Sequence, residues 1–353
     1  MSRARVAILA LLAVCSCADR SIVVADRVFA VEAGLPVDAA PQVDAAPDTS
    51  SSCNACTLDE ICRDGACKPK GTPTAVTLLA CATPPCINVY NNCPIELFIH
   101  PVTDGTVVID QGRITRLATG EQVQYGALPE INGGRIYAYY RQPSVLSAPV
   151  MPVSPMNQFI EMAVDKPDAG PVAQNYDISY VDYASLPVSV QATGGCRATI
   201  CGARFDDWTR KLLDCPTELR NQYGAVGTCM GSYNFCITKD GAATYDTTRE
   251  YCTKMQAAYG YPGSKIYGGV FPEHGAEDVA FWDQIAAYNR GTYAGNANAS
   301  DYYLVQPYND YARWVHRELG CQAYAFSTDD HQNNAGFIRC ASPQLDVVFC
   351  PYD

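Results

Sequence analysis

Several signatures of common enzyme classes are missing from this chain of 353 residues. It contains no phosphate-binding glycine loop, no dinucleotide fingerprint and no nucleophile elbow. Its four histidines show no metal-ligating spacing such as H-x-x-x-H, so we expect them to be solvated or hydrogen-bonded structural residues. The absences argue against nucleotide-dependent enzymes and α/β-hydrolases, and they predict that the protein has no cofactor and no metal. The four histidines are His100, His274, His316 and His331.

Positive charge is also scarce. Lysine and arginine together number 25 against 37 acidic residues, which gives a formal net charge of −12. Such an acidic chain repels nucleic-acid backbones and anionic membrane surfaces, so we predict no nucleic-acid partner. The composition, 48% hydrophobic and 18% charged, is that of a chain able to bury a globular core.

The first seventeen residues have the pattern of a secretory signal. Two basic residues, Arg3 and Arg5, precede an apolar run that ends at Val14, and small residues and cysteines follow. The run is too short to span a bilayer. The pattern predicts export from the cytoplasm.

Cys17, which follows the small residue Ser16, resembles the acylated cysteine of bacterial lipoproteins. Cys15 is the alternative, but the bulkier Val14 precedes it. A plain signal peptide cleaved further along the chain is the other possibility. We therefore predict a lipoprotein signal over residues 1–17 and a cell-surface protein held at the membrane by an N-terminal lipid.

Two small segments separate this signal from the main domain. Residues 18–52 contain a VDAAP unit that occurs twice, and without aromatic residues in the repeat this stretch predicts a flexible linker. Residues 53–70 hold four cysteines, which in an exported protein favour a two-disulfide knot. A zinc site is the alternative because Cys53 and Cys56 have C-x-x-C spacing. The four cysteines are Cys53, Cys56, Cys62 and Cys67.

The main domain, residues 71–353, has the sequence pattern of an all-β fold with a helical insertion. Short runs such as IELFIHPV alternate apolar residues, as at Ile95, Leu97 and Ile99, and are separated by Gly, Pro and Asn. Two later segments have helical spacing instead. The apolar residues that define them are Val279, Trp282 and Ile285 in the first, and Tyr311, Trp314, Val315 and Leu319, followed by Gly320, in the second.

Six patches appear in the order INVYNNC, GGRIYAYY, QNYDISYVDYASLPVSV, GGCRATIC, CQAYAFSTDDHQ and VVFCP. Together they resemble the thaumatin-like proteins, and they extend from Ile87 nearly to the end of the chain. The resemblance implies a mainly β fold, a thaumatin-like β-sandwich, with a helical, disulfide-rich lobe inserted roughly from Arg197 to Gln322. The chain departs from the family between Arg141 and Gln158, where plant members carry two further disulfides and this chain has no cysteine.

The resemblance also implies a disulfide pattern that the sequence alone leaves open. Five family pairings leave one pair of cysteines over, which can bond to each other. Bonds that close loops of more than a hundred residues each stabilise by about 3 to 5 kcal/mol in the loop-entropy model. The implied pairs are Cys93 with Cys350, Cys196 with Cys340, Cys201 with Cys321, Cys215 with Cys229, Cys236 with Cys252, and Cys81 with Cys86.

Thaumatin-like proteins of plants line a cleft with one arginine and four acids, and some of them bind or cleave β-1,3-glucans. The acids carry over to this sequence, whereas Tyr139 stands in the place of the arginine, and Arg141 is a possible substitute on the same strand face. As a catalytic set the resemblance implies Glu161 as the acid with Asp177 or Asp182 as its partner. The further binding residues are Arg141, Tyr139, and Asp329 or Asp330.

Two functions remain open on these residues. A cleft with several acids can hold one carboxyl protonated and another ionised, as glycoside hydrolysis requires. The same acids can instead hold turns or bind sugar hydroxyls without catalysis. We therefore predict a monomer that recognises, and weakly hydrolyses, a polysaccharide such as β-1,3-glucan; the alternative is a non-catalytic surface-binding or inhibitor protein. About half of the tyrosines near the acids, such as Tyr137, are expected to line the cleft, because successive residues of a strand face opposite sides of the sheet.

We predict that the mature protein begins at Cys17 and carries acyl chains there. Intact-mass and N-terminal peptide spectrometry of the membrane fraction should show a lipidated Cys17. An unmodified N-terminus at another residue would contradict this prediction.

Overall fold

The computed structural model describes residues 60–63, 66–103, 109–141, 157–166, 170–220, 228–239, 243–245, 249–292, 302–331 and 337–352. The predicted signal peptide, the lipidation site Cys17, the 18–52 linker, and Cys53 and Cys56 lie outside these residues. So does most of the cysteine-free segment between Arg141 and Gln158.

The described residues form seventeen short strands and six α-helices. The strands are β1 Glu60–Arg63, β2 Ala66–Pro69, β3 Cys86–Asn91, β4 Leu97–Thr103, β5 Thr115–Leu117, β6 Gln122–Tyr125, β7 Ile131–Tyr139, β8 Asn157–Asp165, β9 Ala173–Ser179, β10 Tyr183–Ala184, β11 Val188–Ala192, β12 Ala198–Cys201, β13 Cys229–Met230, β14 Ile237–Lys239, β15 Ala243–Tyr245, β16 Ile338–Ala341 and β17 Gln344–Phe349. The helices are α1 Phe205–Leu212, α2 Ser232–Cys236, α3 Glu250–Tyr259, α4 Gly263–Gly268, α5 Val279–Arg290 and α6 Asp310–Arg313.

Two sheets build a β-sandwich. One has five strands in the order β12-β11-β17-β3-β6, and the other has six in the order β16-β9-β8-β7-β4-β5. Apolar residues at alternate positions of both sheets, such as Val89 in β3 and Ile160 in β8, meet in one core and are fully buried. The alternation seen at Leu97 and Ile99 is part of this pattern. The mainly β fold predicted from the sequence is confirmed.

The outer face of the five-stranded sheet is polar and is covered by an N-terminal arm, residues 77–82. Side-chain amides of the sheet bond to the backbone of the arm. Gln124 accepts a hydrogen bond from Ala82 N (3.0 Å) and donates one to Ala80 O (3.0 Å), and Asn88 donates to Leu79 O (2.8 Å). Gln344 accepts from the backbone N–H of Cys81 (3.0 Å). The arm is therefore bound by side chains rather than by a strand ladder.

Most of the helices lie in a lobe inserted between β12 and β16. The helix predicted from Trp282 and Ile285 is α5, which begins at Asp278, whose carboxylate accepts from Phe281 N (3.2 Å), and ends at Gly291 with φ 70°. The second predicted helix is α6 with its continuation, a π-helical turn at Trp314–Glu318. None of the helices in the described residues is long and apolar enough to cross a membrane.

Disulfides join the lobe to the sandwich and close the sandwich on itself. The structure contains the six pairings that the resemblance implies. They are Cys81–Cys86, Cys93–Cys350, Cys196–Cys340, Cys201–Cys321, Cys215–Cys229 and Cys236–Cys252. Cys62 and Cys67, which are register partners in the β1–β2 hairpin, each belong to a disulfide as well. So many disulfides indicate a protein that folds in an oxidising compartment.

We predict that none of the sixteen cysteines from Cys53 onward has a free thiol, because the structure pairs those it describes and the remaining two lie beside Cys62 in the sequence. Maleimide labelling of the denatured, unreduced protein should add no mass at these positions. Labelling after reduction is the control. Zinc release from the 53–70 segment, or labelling there, would show the knot to be a metal site.

Candidate active site

A row of three charged residues crosses the outer face of the six-stranded sheet. Arg135 in β7 pairs with Glu161 in β8, and Glu161 pairs with Asp177 in β9, as direct antiparallel partners. The neighbouring residues Ile160 and Ile178 point into the core, so strand alternation directs the charged residues away from it. Cβ atoms of direct cross-strand partners lie about 4.5 to 5.5 Å apart. The pairing therefore brings together Glu161 and Asp177, two predicted catalytic acids.

Arg135 contacts Glu161 directly. Its Nε donates a hydrogen bond to Glu161 Oε1 (2.9 Å), and its guanidinium lies over the Phe159 ring at 5.5 Å. Burial alone would lower the pKa of Arg135, but the nearby Tyr137, Glu161 and Asp182 raise it, so the guanidinium keeps its charge. Glu161 is 7% exposed and Asp177 6%, so the acids of this charged row are almost completely buried on the outer side of the sheet.

Asp182, the third predicted acid, belongs to the same group of charges. It follows β9 in the loop leading to β10, is half-buried, and acts electrostatically on both Arg135 and Tyr137. The loop is fixed on both sides by tyrosines. Tyr311 of α6 donates to Tyr180 O (2.5 Å), and Tyr140 donates to Ser185 O (2.6 Å). The position of Asp182 thus depends on contacts from the lobe as well as from the sheet.

A close backbone approach joins the lobe to this loop. Gly231 donates to Asp182 O (2.8 Å), and a Cβ atom at Gly231 would lie 1.8 Å from Val181 O. Only glycine fits there without moving the chain. Asn234 of α2 also donates to Asp182 O, at 3.4 Å. The beginning of α2 therefore contacts the backbone of the loop that carries Asp182.

Asp329 lies apart from this row, and its structural environment corrects its predicted role as a binding residue. It is completely buried, forms ion pairs with Arg290 (2.9 Å) and His316 (2.9 Å), and accepts from Ala325 N (2.8 Å). Burial acts to raise the pKa of Asp329, but His316 and Arg290 outweigh it and lower the pKa. With all these partners Asp329 stabilises the lobe and does not face a ligand.

Of the two adjacent acids, Asp329 and Asp330, it is Asp330 that approaches the sheet. Burial raises its pKa, while His331 and a hydrogen bond from Tyr324 act to lower it. Tyr324 continues the sheet next to β9, because its N–H donates to Ile178 O (2.9 Å) and Tyr180 N donates to Tyr324 O (2.7 Å). The resulting parallel bridge pairs Tyr324 with Ser179, two residues beyond Asp177. Asp330 is thereby connected through Tyr324 to the end of β9.

The aromatic residues and Arg141 also differ from expectation. Tyr139 is fully buried because it stacks on Tyr137 (5.8 Å) in a small apolar cluster with Phe159, so its ring is not available to a ligand. Arg141 lies beyond the end of β7 and is exposed. The arginine paired with Glu161 is Arg135, four residues before Tyr139 and on the same strand face, which the sequence analysis missed.

The histidines match their predicted structural roles where contacts are described. His316 bonds to Tyr303 OH (2.5 Å) and pairs with Asp329, and His274 stacks on Phe281 (3.5 Å) and bonds to Asp278 (2.7 Å). Within the described residues, no group of three or more His, Cys, Asp or Glu is arranged to hold a metal ion.

A family model described as "Glyco_hydro_64: Beta-1,3-glucanase" matches residues 269–350. The match includes α5, α6 and the last two strands, and it does not include Glu161 or Asp177. No curated protein matches the sequence. The matched part of the chain is thus similar to that of β-1,3-glucanases of glycoside hydrolase family 64.

Among solved structures, the β-1,3-glucanase domain (GH64) from Clostridium beijerinckii aligns with a TM-score of 0.53 at 13% identity, covering 75% of this chain and 97% of that one. At this identity the similarity is one of fold. The elicitor MoHrip2 from Magnaporthe oryzae (TM-score 0.23, 16% identity) covers 33% of this chain and 77% of its own. The thaumatin-like xylanase inhibitor TLXI (TM-score 0.26, 13% identity) covers 33% and 82%.

The buried group around Asp329 generates a stability prediction. Asp329→Asn removes the anion and leaves Arg290 buried and uncompensated, which should cost about 3 to 5 kcal/mol of the free energy of unfolding. Urea denaturation at neutral pH measures it. Asp283→Asn, which removes a partly exposed partner of His331 at the surface, is the control and should cost about 1 kcal/mol or less.

The same group predicts a pH dependence. Because the folded-state pKa of Asp329 lies below its usual value of 3.8, its stabilisation is fully present above that value and is lost as the pH falls through the folded pKa. The stability difference between the wild type and Asp329→Asn should therefore shrink below about pH 4. A difference that stays constant down to pH 2 would contradict the assignment.

Proposed function

We propose that this protein hydrolyses β-1,3-glucan on the outer face of the six-stranded sheet, with Glu161 and Asp177 as the catalytic pair. The observation that carries the proposal is their direct cross-strand pairing on the outer face of the sheet. The similarity of residues 269–350 to β-1,3-glucanases and the fold shared with a GH64 domain support the substrate class.

The charges of the row suit a pair that shares one proton. Arg135 favours the ionised form of Glu161. The negative charge of the facing Asp177 favours the protonated form of Glu161 instead. With both acids ionised the row of one cation and two anions keeps one net negative charge, and one bound proton makes it neutral. Asp182 adds further negative charge nearby. The row can therefore hold a proton for transfer.

We assign the acid to Glu161, because the negative charge of the facing Asp177 favours its protonated form against the opposing effect of Arg135, and the base to Asp177. The Glu161 side chain is one methylene longer and carries its carboxyl further from the sheet, toward a glycosidic oxygen. Arg135 lies on the side of Glu161 away from Asp177 and binds its Oε1, which separates the two carboxyl groups. The shorter Asp177 leaves space for a water molecule between itself and the sugar. We therefore propose for this pair the wider spacing of inverting hydrolases, about 6.5 to 9.5 Å.

In the proposed reaction Asp177 accepts a proton from water as the water oxygen attacks the anomeric carbon. The glycosidic C–O bond breaks, and the leaving oxygen takes the proton of Glu161. The half-buried Asp182 and Asp330 would bind sugar hydroxyls beside the catalytic pair.

The remaining proposals concern location and partners. The disulfides and the N-terminal pattern support an exported protein, held at the cell surface by an acylated Cys17 and acting as a monomer. Its acidity supports the absence of nucleic-acid partners. A protein that binds glucan without cleaving it is the alternative, and the experiment below separates the two.

Glu161→Gln and Asp177→Asn should each lower kcat on laminarin at least about 100-fold while leaving retention on insoluble glucan unchanged, because each keeps the side-chain shape and removes one proton-transfer group. Reducing-sugar release and pull-down measure the two effects. Glu130→Gln, at an exposed acid just before β7, is the control. An aryl glycoside with a good leaving group should restore activity to Glu161→Gln but not to Asp177→Asn, since such a leaving group departs without a proton.

Two outcomes would overturn the proposal. If the wild type binds glucan but releases no sugar from any member of a glucan panel, the protein is a binding module. If the good leaving group rescues Asp177→Asn instead, the roles of acid and base are exchanged.

A further inference from the structure

Ser179 is a buried hydroxyl on the same strand face as the proposed base. It ends β9 two residues beyond Asp177, and residues two apart in a strand point to the same side of a sheet. Only 1% of Ser179 is exposed. Its backbone is fixed, because it pairs with Phe159 across the ladder, its carbonyl accepts from Gln158 Nε2 (2.9 Å), and it forms the bridge to Tyr324.

The side chain of Ser179 has no hydrogen-bond partner, although the positions around it are held firmly. Its Oγ is fully buried, and the structure gives it neither a donor nor an acceptor among the residues it describes. A buried unpaired hydroxyl costs about 1 to 3 kcal/mol relative to a paired one. Alanine would avoid that cost at the same position. Such a group beside a pair of acids indicates a hydroxyl retained for binding something polar.

The spacing fits a water molecule. Residues two apart in a strand are separated by about 6.6 Å. A water that hydrogen-bonds to two groups at about 2.8 Å each joins oxygen atoms up to about 5.6 Å apart. Because the Ser179 and Asp177 side chains extend from the same face, a lean of about 1 Å toward each other brings their oxygen atoms within this range, and a single water molecule then bonds to both.

We propose that Ser179 is a positioning residue, which together with Asp177 holds the water that attacks the glucan. The proposal rests on the proposed function. Asp177 accepts the proton of that water, while the Ser179 hydroxyl bonds to it without changing its own protonation. The hydroxyl directs the lone pair of the water toward the anomeric carbon.

Ser179→Ala tests the role. It should lower kcat on laminarin about 10- to 100-fold with little change in KM, because the water is misplaced while the sugar is still bound. Its melting temperature should be equal to or higher than that of the wild type, since the variant removes an unpaired buried group. Ser179→Thr, which restores a hydroxyl, should recover activity relative to the alanine variant.

Ser264 provides a matched control. It is also completely buried with an Oγ that has no partner among the described residues, but it lies in α4, in the lobe. Ser264→Ala should therefore keep wild-type kcat and show the same small change in melting temperature. A loss of kcat in both variants would indicate a general effect of buried hydroxyls on the fold and would overturn the proposal.

The choice of substrate separates this role from that of the acid. An aryl glycoside with a good leaving group needs no proton donor but still needs an oriented water, so it should rescue Glu161→Gln and fail to rescue Ser179→Ala. Rescue of Ser179→Ala, or wild-type kcat in that variant, would refute the positioning role and leave the catalytic pair intact. If the wild type hydrolyses no glucan, the proposed function fails and the positioning role fails with it.

Discussion

The register of β7, β8 and β9 is the constraint on which both the core and the candidate site depend. Side chains alternate between the two faces of a sheet, so the pairing that buries Ile160 and Ile178 also places Glu161 and Asp177 side by side outside the core. A slip of one residue would direct the acids into the core and the isoleucines into water. The hydrophobic driving force for the sandwich therefore fixes the geometry of the acids.

The lobe contributes the part of the site that the sheet cannot supply. Asp182 is held by Gly231 from the lobe side, and the loop around it by Tyr311. The lobe in turn is ordered by the buried charges of Arg290 and Asp329 and is joined to the sandwich by the Cys201–Cys321 disulfide. Loss of order in the lobe would thus displace one acid while leaving the cross-strand pair in place.

Much of this arrangement could be predicted from local patterns. Apolar alternation predicted the strands, helical spacing predicted α5 and α6, and the resemblance to thaumatin-like proteins implied the disulfides that the structure contains. The β-sandwich that the resemblance implies is present, while the family model that matches residues 269–350 is that of a β-1,3-glucanase. Local patterns work here because each reflects contacts within a single element.

The errors concern contacts between distant segments. Arg135 was missed because its partner is set by strand register, which no local pattern encodes, although its alternation with Tyr139 placed it on the correct face. Asp329 was misassigned because its partner Arg290 lies 39 residues earlier in the chain. The sequence predicts Tyr139 in the cleft, but its ring is buried against Tyr137. Tertiary packing sets that contact, and no local pattern encodes it.

The arm over the five-stranded sheet determines how a pulling force would enter the molecule. A force applied to the N-terminal side of the domain would first load Lys70, whose Nζ donates to Gly320 O (2.7 Å), then the backbone bond from Thr74 N to Pro351 O (2.7 Å), and then the amide contacts of residues 77–82. Those hydrogen bonds can break one after another, so that the arm peels from the sheet. The Cys81–Cys86 disulfide would stop the peeling at the start of β3. The hydrogen bonds of the arm would therefore break before the row of Arg135, Glu161 and Asp177 on the opposite sheet is disturbed.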